Sequence, residues 1–292
     1  MGSSTGSSGW SVRATIPDYI PTPVRLPRPV RPTALAAALL LALPRAAPAA
    51  EPPLDLRLDV PATLGVTGAA LGLDLATVLL QKELTPTTCR ICGAGRFDTS
   101  VRDALRWKDT GAASTASDIL GIGTPALAAG ALALAGLSAG GARTAAEDLL
   151  ITGEAVSVAI LATQIAKFSF GRLRPDAWAA PGASQGPSAR VSLWSGHTGA
   201  AFAAAVAAGT VARLRGYRSW PWILGLGLAG AAATGWLRIA ADRHWATDVL
   251  AGAAAGSAVG YGLPVWLHGR REGDRATGLR LEILPNGLAG TF

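Results

Sequence analysis

The residues best suited to chemistry lie between Leu237 and Asp248, where an arginine, a histidine and an aspartate follow one another. The guanidinium of Arg238 can bind a phosphate through two nitrogen atoms, and the imidazole of His244 can attack an electrophile or transfer a proton. Asp248 follows His244 by four residues, so on a helix its carboxylate can accept the ring N–H and leave the other nitrogen as nucleophile. These side chains are the parts of a phosphoryl-transfer site.

Two further polar clusters precede this stretch. Lys167 and Arg174 are seven residues apart, so both can project from one helix face toward an anion. Ser195, Gly196 and His197 open an apolar segment, where hydroxyl and N–H groups at a helix N-terminus can bind oxyanions. Each cluster alone is compatible with a flanking or capping role. Two of the three histidines of the chain lie in these clusters, which favours one shared catalytic site.

Apolar segments must position these clusters, because half of the chain is apolar and only 15% is charged. A bilayer requires roughly 20 apolar residues per helix, and the lengths of the segments run from marginal to sufficient. The predicted fold class is therefore all-α, a polytopic helical bundle with the active site at the outer-face ends of helices 3 to 6. The six segments are 62–80, 119–138, 149–166, 199–212, 222–237 and 249–267.

Two carboxylates interrupt these segments, Asp74 in the first and Glu154 in the third. Charges are costly in hydrocarbon, so both are expected to face the bundle interior or a wet cavity. Glu154 has two interpretations, a contact for substrate or protons and a residue satisfied by a neighbouring helix.

The first 50 residues are predicted to be a disordered leader with a signal-like segment. They contain an apolar run over 34–43 and a small-residue cleavage site at 47–49. Five arginines against one aspartate place four of the seven net positive charges here, so the charge does not indicate nucleic-acid binding. The remaining regions are predicted as an N-terminal helix with a cysteine-containing polar insert (51–117), a catalytic helical domain (118–268) and a basic tail with a small hairpin (269–292).

Cys89 and Cys92 are the only cysteines, and two ligands cannot complete a four-ligand zinc site. Export would place them in an oxidising compartment, which favours a local disulfide. The insert that carries them is also predicted to contain a short interfacial helix around 101–108.

Orientation follows from basic loops, which are expected to be cytoplasmic. They contain Arg213, Arg215, Arg218, Arg270, Arg271 and Arg275. The loops that carry chemistry then face the periplasm or exterior of a bacterial-type inner membrane. A cleaved leader conflicts with six crossings, so either the leader is retained or the first segment does not cross. Both alternatives give the same topology from residue 118 onward.

The three clusters together resemble the three-part signature of the type 2 phosphatidic acid phosphatase and vanadium haloperoxidase superfamily, in its membrane lipid phosphatase branch. The resemblance covers residues 118–268. It implies that a phosphate is bound by Lys167, Arg174, Ser195, Gly196 and Arg238. Trp194 stands where proline is common, and Leu237 stands where serine commonly precedes the arginine, which removes one potential hydroxyl contact.

The resemblance also implies a mechanism. His244 attacks phosphorus and forms a phosphohistidine, Asp248 orients His244, and His197 protonates the leaving oxygen. The predicted protein is a phosphoric monoester hydrolase that acts on a lipid phosphate or diphosphate in the membrane. No metal or cofactor, nucleic acid or protein partner is predicted.

Three alternatives remain open from the sequence. A haloperoxidase would hold vanadate in the same residues, with His244 as its axial ligand, although such relatives are soluble. A non-catalytic lipid-binding membrane protein would not need the charged residues. A soluble periplasmic acid phosphatase would not need the apolar segments.

Overall fold

The computed structural model describes residues 52–181, 186–270, 280–284 and 287–291. The predicted leader, Arg271, Arg275 and the turn of the predicted hairpin lie outside the described residues. The helices are α1 (Val60–Leu79), α2 (Gln81–Leu84), α3 (Arg96–Leu105), α4 (Thr110–Phe170), α5 (Pro175–Ala179), α6 (Gly196–Arg215), α7 (Trp220–Ala240) and α8 (Ala246–His268), with a 3-10 turn at Pro187–Arg190. The strands β1 (Arg280–Leu284) and β2 (Gly287–Thr291) pair antiparallel, as the hairpin prediction requires.

Local sequence signals set several helix ends. The carboxylates of Asp59 and Asp109 accept hydrogen bonds from backbone N–H groups in the first turns of α1 and α4, at 3.1 and 2.9 Å. Helices α4 and α6 end at Gly171 and Gly216, whose φ angles of 53° and 81° are left-handed. The chain therefore leaves α4 directly after the segment that contains Lys167.

Helix α4 reverses direction at Gly141, where φ is 80° and the backbone is not helical. A Cβ atom on Gly136 would lie 2.8 Å from Cα of Ala145, so the two halves of α4 pack side by side. The predicted segments 119–138 and 149–166 are these two halves. A side chain at Gly141 would be strained in this conformation.

Helix α6 lies at the centre of the bundle, in contact with α4, α7 and α8. Small residues allow close packing here. A Cβ atom on Gly252 would lie 2.7 Å from the carbonyl oxygen of Ser195, and one on Gly260 would lie 2.6 Å from that of Ala203. Gly252 and Gly260 thus lie on the face of α8 that packs against α6.

The outer surface of the bundle is apolar. Among the described residues, α1, α4, α7 and α8 are long and apolar enough to cross a membrane, by length and composition. Large apolar side chains on α4, α7 and α8 are more than two-thirds exposed, whereas several polar side chains are buried. This arrangement suits a lipid environment and disfavours the soluble alternative. The exposed side chains include Ile122, Leu127, Trp222, Leu226 and Trp266.

These observations confirm the predicted helical class, while the number of six crossings stays a prediction. Glu154 is satisfied by a neighbouring helix, because its carboxylate lies 2.7 Å from Nε2 of His268 on α8. Cys89 and Cys92 form the predicted disulfide. The short helix of the insert spans Arg96–Leu105, so the helix predicted around 101–108 is present but begins and ends earlier in the chain. It ends before residue 108 because the backbone is extended at Arg106, where ψ is 127°.

Candidate active site

Four helix ends meet at one end of the bundle and carry the three predicted clusters. Helix α4 ends after Lys167, α7 ends after Arg238, and α6 and α8 begin with the residues that follow Ser195 and Trp245. The first turns of α6 and α8 contribute backbone N–H groups and the positive ends of their dipoles. The three clusters therefore lie together at the ends of the four helical segments for which the sequence predicts them.

Lys167 lies directly over the start of α6. A Cβ atom at Gly196 would be 3.1 Å from its Nζ, so the absence of a side chain at this position makes room for the ammonium group. The two residues bring a positive charge and a helix N-terminus together, a combination that favours an anion.

The guanidinium groups of Arg174 and Arg238 supply further donors. Nε of each is buried, and it has no hydrogen-bond partner within the described part of the chain. Arg238 is 5% exposed, and its Nη1 donates to Ser117 and Asp118, both at 3.0 Å. Buried guanidinium nitrogens without a partner are costly, which indicates that an anion completes this site.

His244 is buried in the turn between α7 and α8, with 2% exposure. Its Nδ1 lies 2.8 Å from the backbone carbonyl of Ser192. A carbonyl can only accept, so Nδ1 carries the hydrogen and Nε2 retains its lone pair. Nε2 is therefore the nitrogen that can attack.

The hydrogen bond predicted between Asp248 and His244 is not present. Oδ2 of Asp248 lies 3.9 Å from Nδ1 of His244, too far for a hydrogen bond. Asp248 is fully buried and instead accepts from the N–H of Trp245 at 3.0 Å, from Oγ of Ser192 at 2.6 Å and from Arg172 at 2.5 Å. Through these contacts Asp248 holds Ser192, whose carbonyl accepts from the ring, and the turn that carries His244, and its role in orienting the ring stays a prediction.

His197 contacts a residue that the sequence patterns did not identify. Its Nε2 lies 3.2 Å from Oδ1 of Asp118, the same oxygen that accepts from Arg238. His197 also packs against Gly121, where a side chain would collide with the imidazole ring. One carboxylate of α4 thus connects the histidine of the second cluster with the arginine of the third.

Ser195 is fully buried at the start of α6. Its hydroxyl accepts a hydrogen bond from Thr198 at 2.9 Å, and its N–H donates to the carbonyl oxygen of Asp248 at 3.1 Å. Ser195 therefore ties α6 to α8 through its backbone, and its role in phosphate binding stays a prediction. Leu237 and Trp194, the two residues that depart from the pattern of the resembled family, are both packed against the protein. Leu237 is buried, and Nε1 of Trp194 donates a hydrogen bond to Thr163 at 2.6 Å.

Sequence reasoning missed Asp118, Arg172 and Ser192, which contact predicted site residues, and Asp98, which contacts Arg172. Asp118 directly precedes the second apolar segment, and Arg172 lies inside the first cluster, so both resemble residues that commonly flank membrane helices. The signal available for Asp118 was the presence of a carboxylate at the end of an apolar segment, since Lys167, Arg174 and Arg238 also lie at segment ends.

We expect Asp118→Asn to tighten the binding of inorganic phosphate by about two- to fivefold, because an exposed carboxylate that competes for an arginine contributes up to about 1 kcal/mol. The side chain of Asp118 is 52% exposed, so an amide can replace it without burying an unpaired group. Isothermal titration calorimetry with phosphate measures the effect. Asp103→Asn is the matched control, because that side chain is 73% exposed on α3. Unchanged or weaker phosphate binding in Asp118→Asn would contradict the competition.

His244 is expected to make the protein sensitive to acid. Burial lowers the pKa of His244 to about 3, the charges of Arg174 and Arg238 act in the same direction, and Asp248 opposes them. An unfolded histidine has a pKa of about 6.5, so between these values only the unfolded chain binds the proton. Stability is then lost as the pH falls through this window.

The melting temperature in detergent should fall between pH 7 and 4.5, and it should fall less in His244→Gln. Differential scanning fluorimetry at both pH values measures the two slopes. An equal fall in both proteins would show that His244 does not titrate on unfolding.

The model of the PAP2 superfamily matches residues 148–272, and this region of the chain is similar to members of that superfamily. All eight residues predicted for catalysis and phosphate binding lie within it. Asp98, Asp118 and the cysteine-containing insert lie outside it.

One curated protein and one solved structure match parts of this chain. A lipid A 1-phosphatase of Porphyromonas gingivalis is 42% identical over 114 residues, which are 38% of this chain and 22% of that protein. The match therefore spans about a fifth of the length of that relative. The crystal structure of the first transmembrane PAP2 type phosphatidylglycerolphosphate phosphatase, from Bacillus subtilis, aligns with a TM-score of 0.39 and 16% identity, over 69% of this chain and 93% of that chain.

Proposed function

We propose that this chain is a membrane-embedded lipid phosphatase that hydrolyses the phosphate of a lipid without a metal ion. The observation that carries the proposal is that the Nε atoms of Arg174 and Arg238 are buried without a hydrogen-bond partner among the described residues, at the same end of the bundle as His244 and His197. Donors fixed in a dry site stabilise the charge of a phosphoryl transition state without reorganising. The superfamily and the partial similarity to a lipid A 1-phosphatase support a lipid substrate.

The proposed reaction has two steps. Nε2 of His244 attacks phosphorus, the bond from phosphorus to the lipid oxygen breaks, and His197 gives its proton to that oxygen. Water then attacks the phosphohistidine, His197 takes a proton from the water, and inorganic phosphate leaves with His244 restored. Lys167, Arg174, Arg238 and the N–H of Gly196 hold the charged oxygens in both steps.

We place the site on the outer face of a bacterial-type inner membrane. Arg213, Arg218 and Arg270 lie at the helix ends opposite His244, and basic residues of this kind are retained on the cytoplasmic side. The disulfide of Cys89 and Cys92 lies on the same side as the site, because the neighbouring Arg90 and Ile91 bind Gly171 and Leu173 through their backbones. An oxidising exterior is compatible with that bond.

The experiment that tests the function measures inorganic phosphate released by the purified protein in detergent, in the presence of a chelator. The substrate panel contains phosphatidic acid, phosphatidylglycerol phosphate, a prenyl diphosphate and lipid A 1-phosphate. Release from at least one lipid is expected to persist in chelator. No release from any lipid, or release that requires an added divalent ion, would overturn the proposal. Halide oxidation that appears on addition of vanadate would instead favour the haloperoxidase alternative.

A further inference from the structure

Helix α3 of the insert places the carboxylate of Asp98, which is only 3% exposed, beside the predicted site, against Arg172 and Thr247. Oδ1 accepts the N–H of Thr247 at 2.9 Å. Oδ2 accepts hydrogen bonds from Oγ of Thr247 at 2.8 Å and from Nη2 of Arg172 at 2.6 Å. A carboxylate that is buried and bonded in this way holds its partners in one geometry.

Arg172 continues the network toward the proposed nucleophile. Its Nη1 donates to Oδ1 of Asp248 at 2.5 Å and to Oγ of Thr247 at 2.7 Å. The guanidinium therefore bridges two carboxylates, one from the insert and one from α8. Asp98 is separated from Asp248 by this single side chain.

Asp98 also caps the start of α8 from outside that helix. Trp245 stands at the N-cap position and has no oxygen in its side chain, so Asp98 accepts the N–H of Thr247 in the first turn. A negative charge at this helix end is favourable to the dipole of α8. Asp98 thus holds the first turn of α8, which contains Asp248.

A second contact from α3 lies on the other side of His244. Arg102, one turn after Asp98, binds both carboxylate oxygens of Asp242 at 2.6 and 2.7 Å. Asp242 has a φ of 59°, a conformation that is uncommon for residues other than glycine. The insert helix therefore holds the chain two residues before His244 and three residues after it.

We infer that Asp98 is a positioning residue of the proposed phosphatase, which acts through Arg172 and the first turn of α8 to hold Asp248 and the loop of His244. The inference rests on the proposed function for its kinetic consequences. Asp98 lies outside the region that matches the superfamily, so this support comes from the insert of this chain.

The first test compares Asp98→Asn with the exposed Asp103→Asn on the same helix. Misplacing a reacting group by about 1 Å costs up to about a hundredfold in rate, so Asp98→Asn should lower kcat by about 10- to 100-fold. KM and the inhibition constant of inorganic phosphate should change by less than about twofold, because the phosphate-binding residues are intact. Asp103→Asn should behave as wild type. An unchanged kcat in Asp98→Asn would overturn the inference.

A double variant separates positioning from general damage. If Asp98 acts through Asp248, then Asp98→Asn should cost less than about twofold in kcat when Asp248→Asn is already present, since coupled residues are not additive. Equal fold losses in both backgrounds would overturn the inference. Should Asp98→Asn fail to fold, Thr247→Val replaces it, because this change removes the hydrogen bond from Oγ of Thr247 to Asp98 and leaves the carboxylate paired with Arg172 and with the backbone N–H of residue 247. Its kcat should fall with KM unchanged, and an unchanged kcat would count against the inference.

Vanadate binding provides a readout that needs no lipid turnover. Inorganic vanadate adopts the five-coordinate geometry of phosphoryl transfer, so its affinity reports whether His244 is in place. Asp98→Asn should weaken vanadate binding by about tenfold while phosphate binding is retained. Unchanged vanadate affinity would overturn the positioning role. A wild-type protein that binds vanadate and hydrolyses no lipid would overturn the proposed function and leave the positioning role standing.

Discussion

Replacement of His244 by alanine is expected to lower phosphate release at least about a thousandfold, because removing a nucleophile leaves only binding and charge stabilisation to accelerate the reaction. His244 is buried with Nδ1 committed to the carbonyl of Ser192, so Nε2 is left for attack on phosphorus. The measurement is the initial rate of phosphate release from the most active lipid of the panel. Rapid quenching at neutral pH with labelled substrate should also trap a phosphorylated wild-type protein and no phosphorylated variant.

His268→Gln is the matched histidine control for this result. His268 lies at the opposite end of α8, and glutamine retains a donor for Glu154, which lies 2.7 Å from Nε2 of His268. The control should hydrolyse lipid phosphate at a rate near that of wild type. If His244→Ala retains more than about a tenth of the wild-type rate, His244 is not the nucleophile.

Replacement of Arg174 by glutamine is expected to lower kcat/KM by about 100- to 1000-fold, the usual cost of removing a fixed donor to a charged transition state. Nε of Arg174 is buried with no hydrogen-bond partner among the described residues, so its donors are available to the phosphate. Vanadate, which resembles the transition state, should lose more affinity than inorganic phosphate, and inhibition assays with the two anions measure this difference.

Arg143→Gln controls for the loss of one positive charge. The side chain of Arg143 is 91% exposed and pairs only with Glu147 in the described structure, so this variant should retain wild-type kcat/KM. Equal losses in the two arginine variants would indicate an effect of net charge. A loss below about threefold in Arg174→Gln would remove this arginine from the phosphate site.

Much of the site could be predicted because its residues occur in short patterns at the ends of apolar segments. Helix periodicity places Lys167 near the C-terminal end of α4 and His197 near the N-terminal end of α6, and antiparallel neighbours bring such ends together. The helical class follows from apolar length alone. The catalytic and phosphate-binding roles of these residues stay predictions that the variants above test.

The remaining contacts depend on packing that no local pattern encodes. Asp98 and Asp248 are 150 residues apart in the chain, and only the folded insert brings them to the same arginine. The direct hydrogen bond from His244 to Asp248 was predicted from a spacing of four residues within a helix. His244 lies outside α8, in the preceding turn, so helical geometry does not apply to it.

The reversal of α4 at Gly141 determines where the two ends of this helix lie relative to each other. Because one residue turns the helix back on itself, its two halves form a helical hairpin without a connecting loop. A helical hairpin of this kind in a membrane has both of its open ends on one side of the bilayer. Asp118 and Lys167, at the two open ends of the hairpin, therefore reach the same compartment whichever way the protein is oriented.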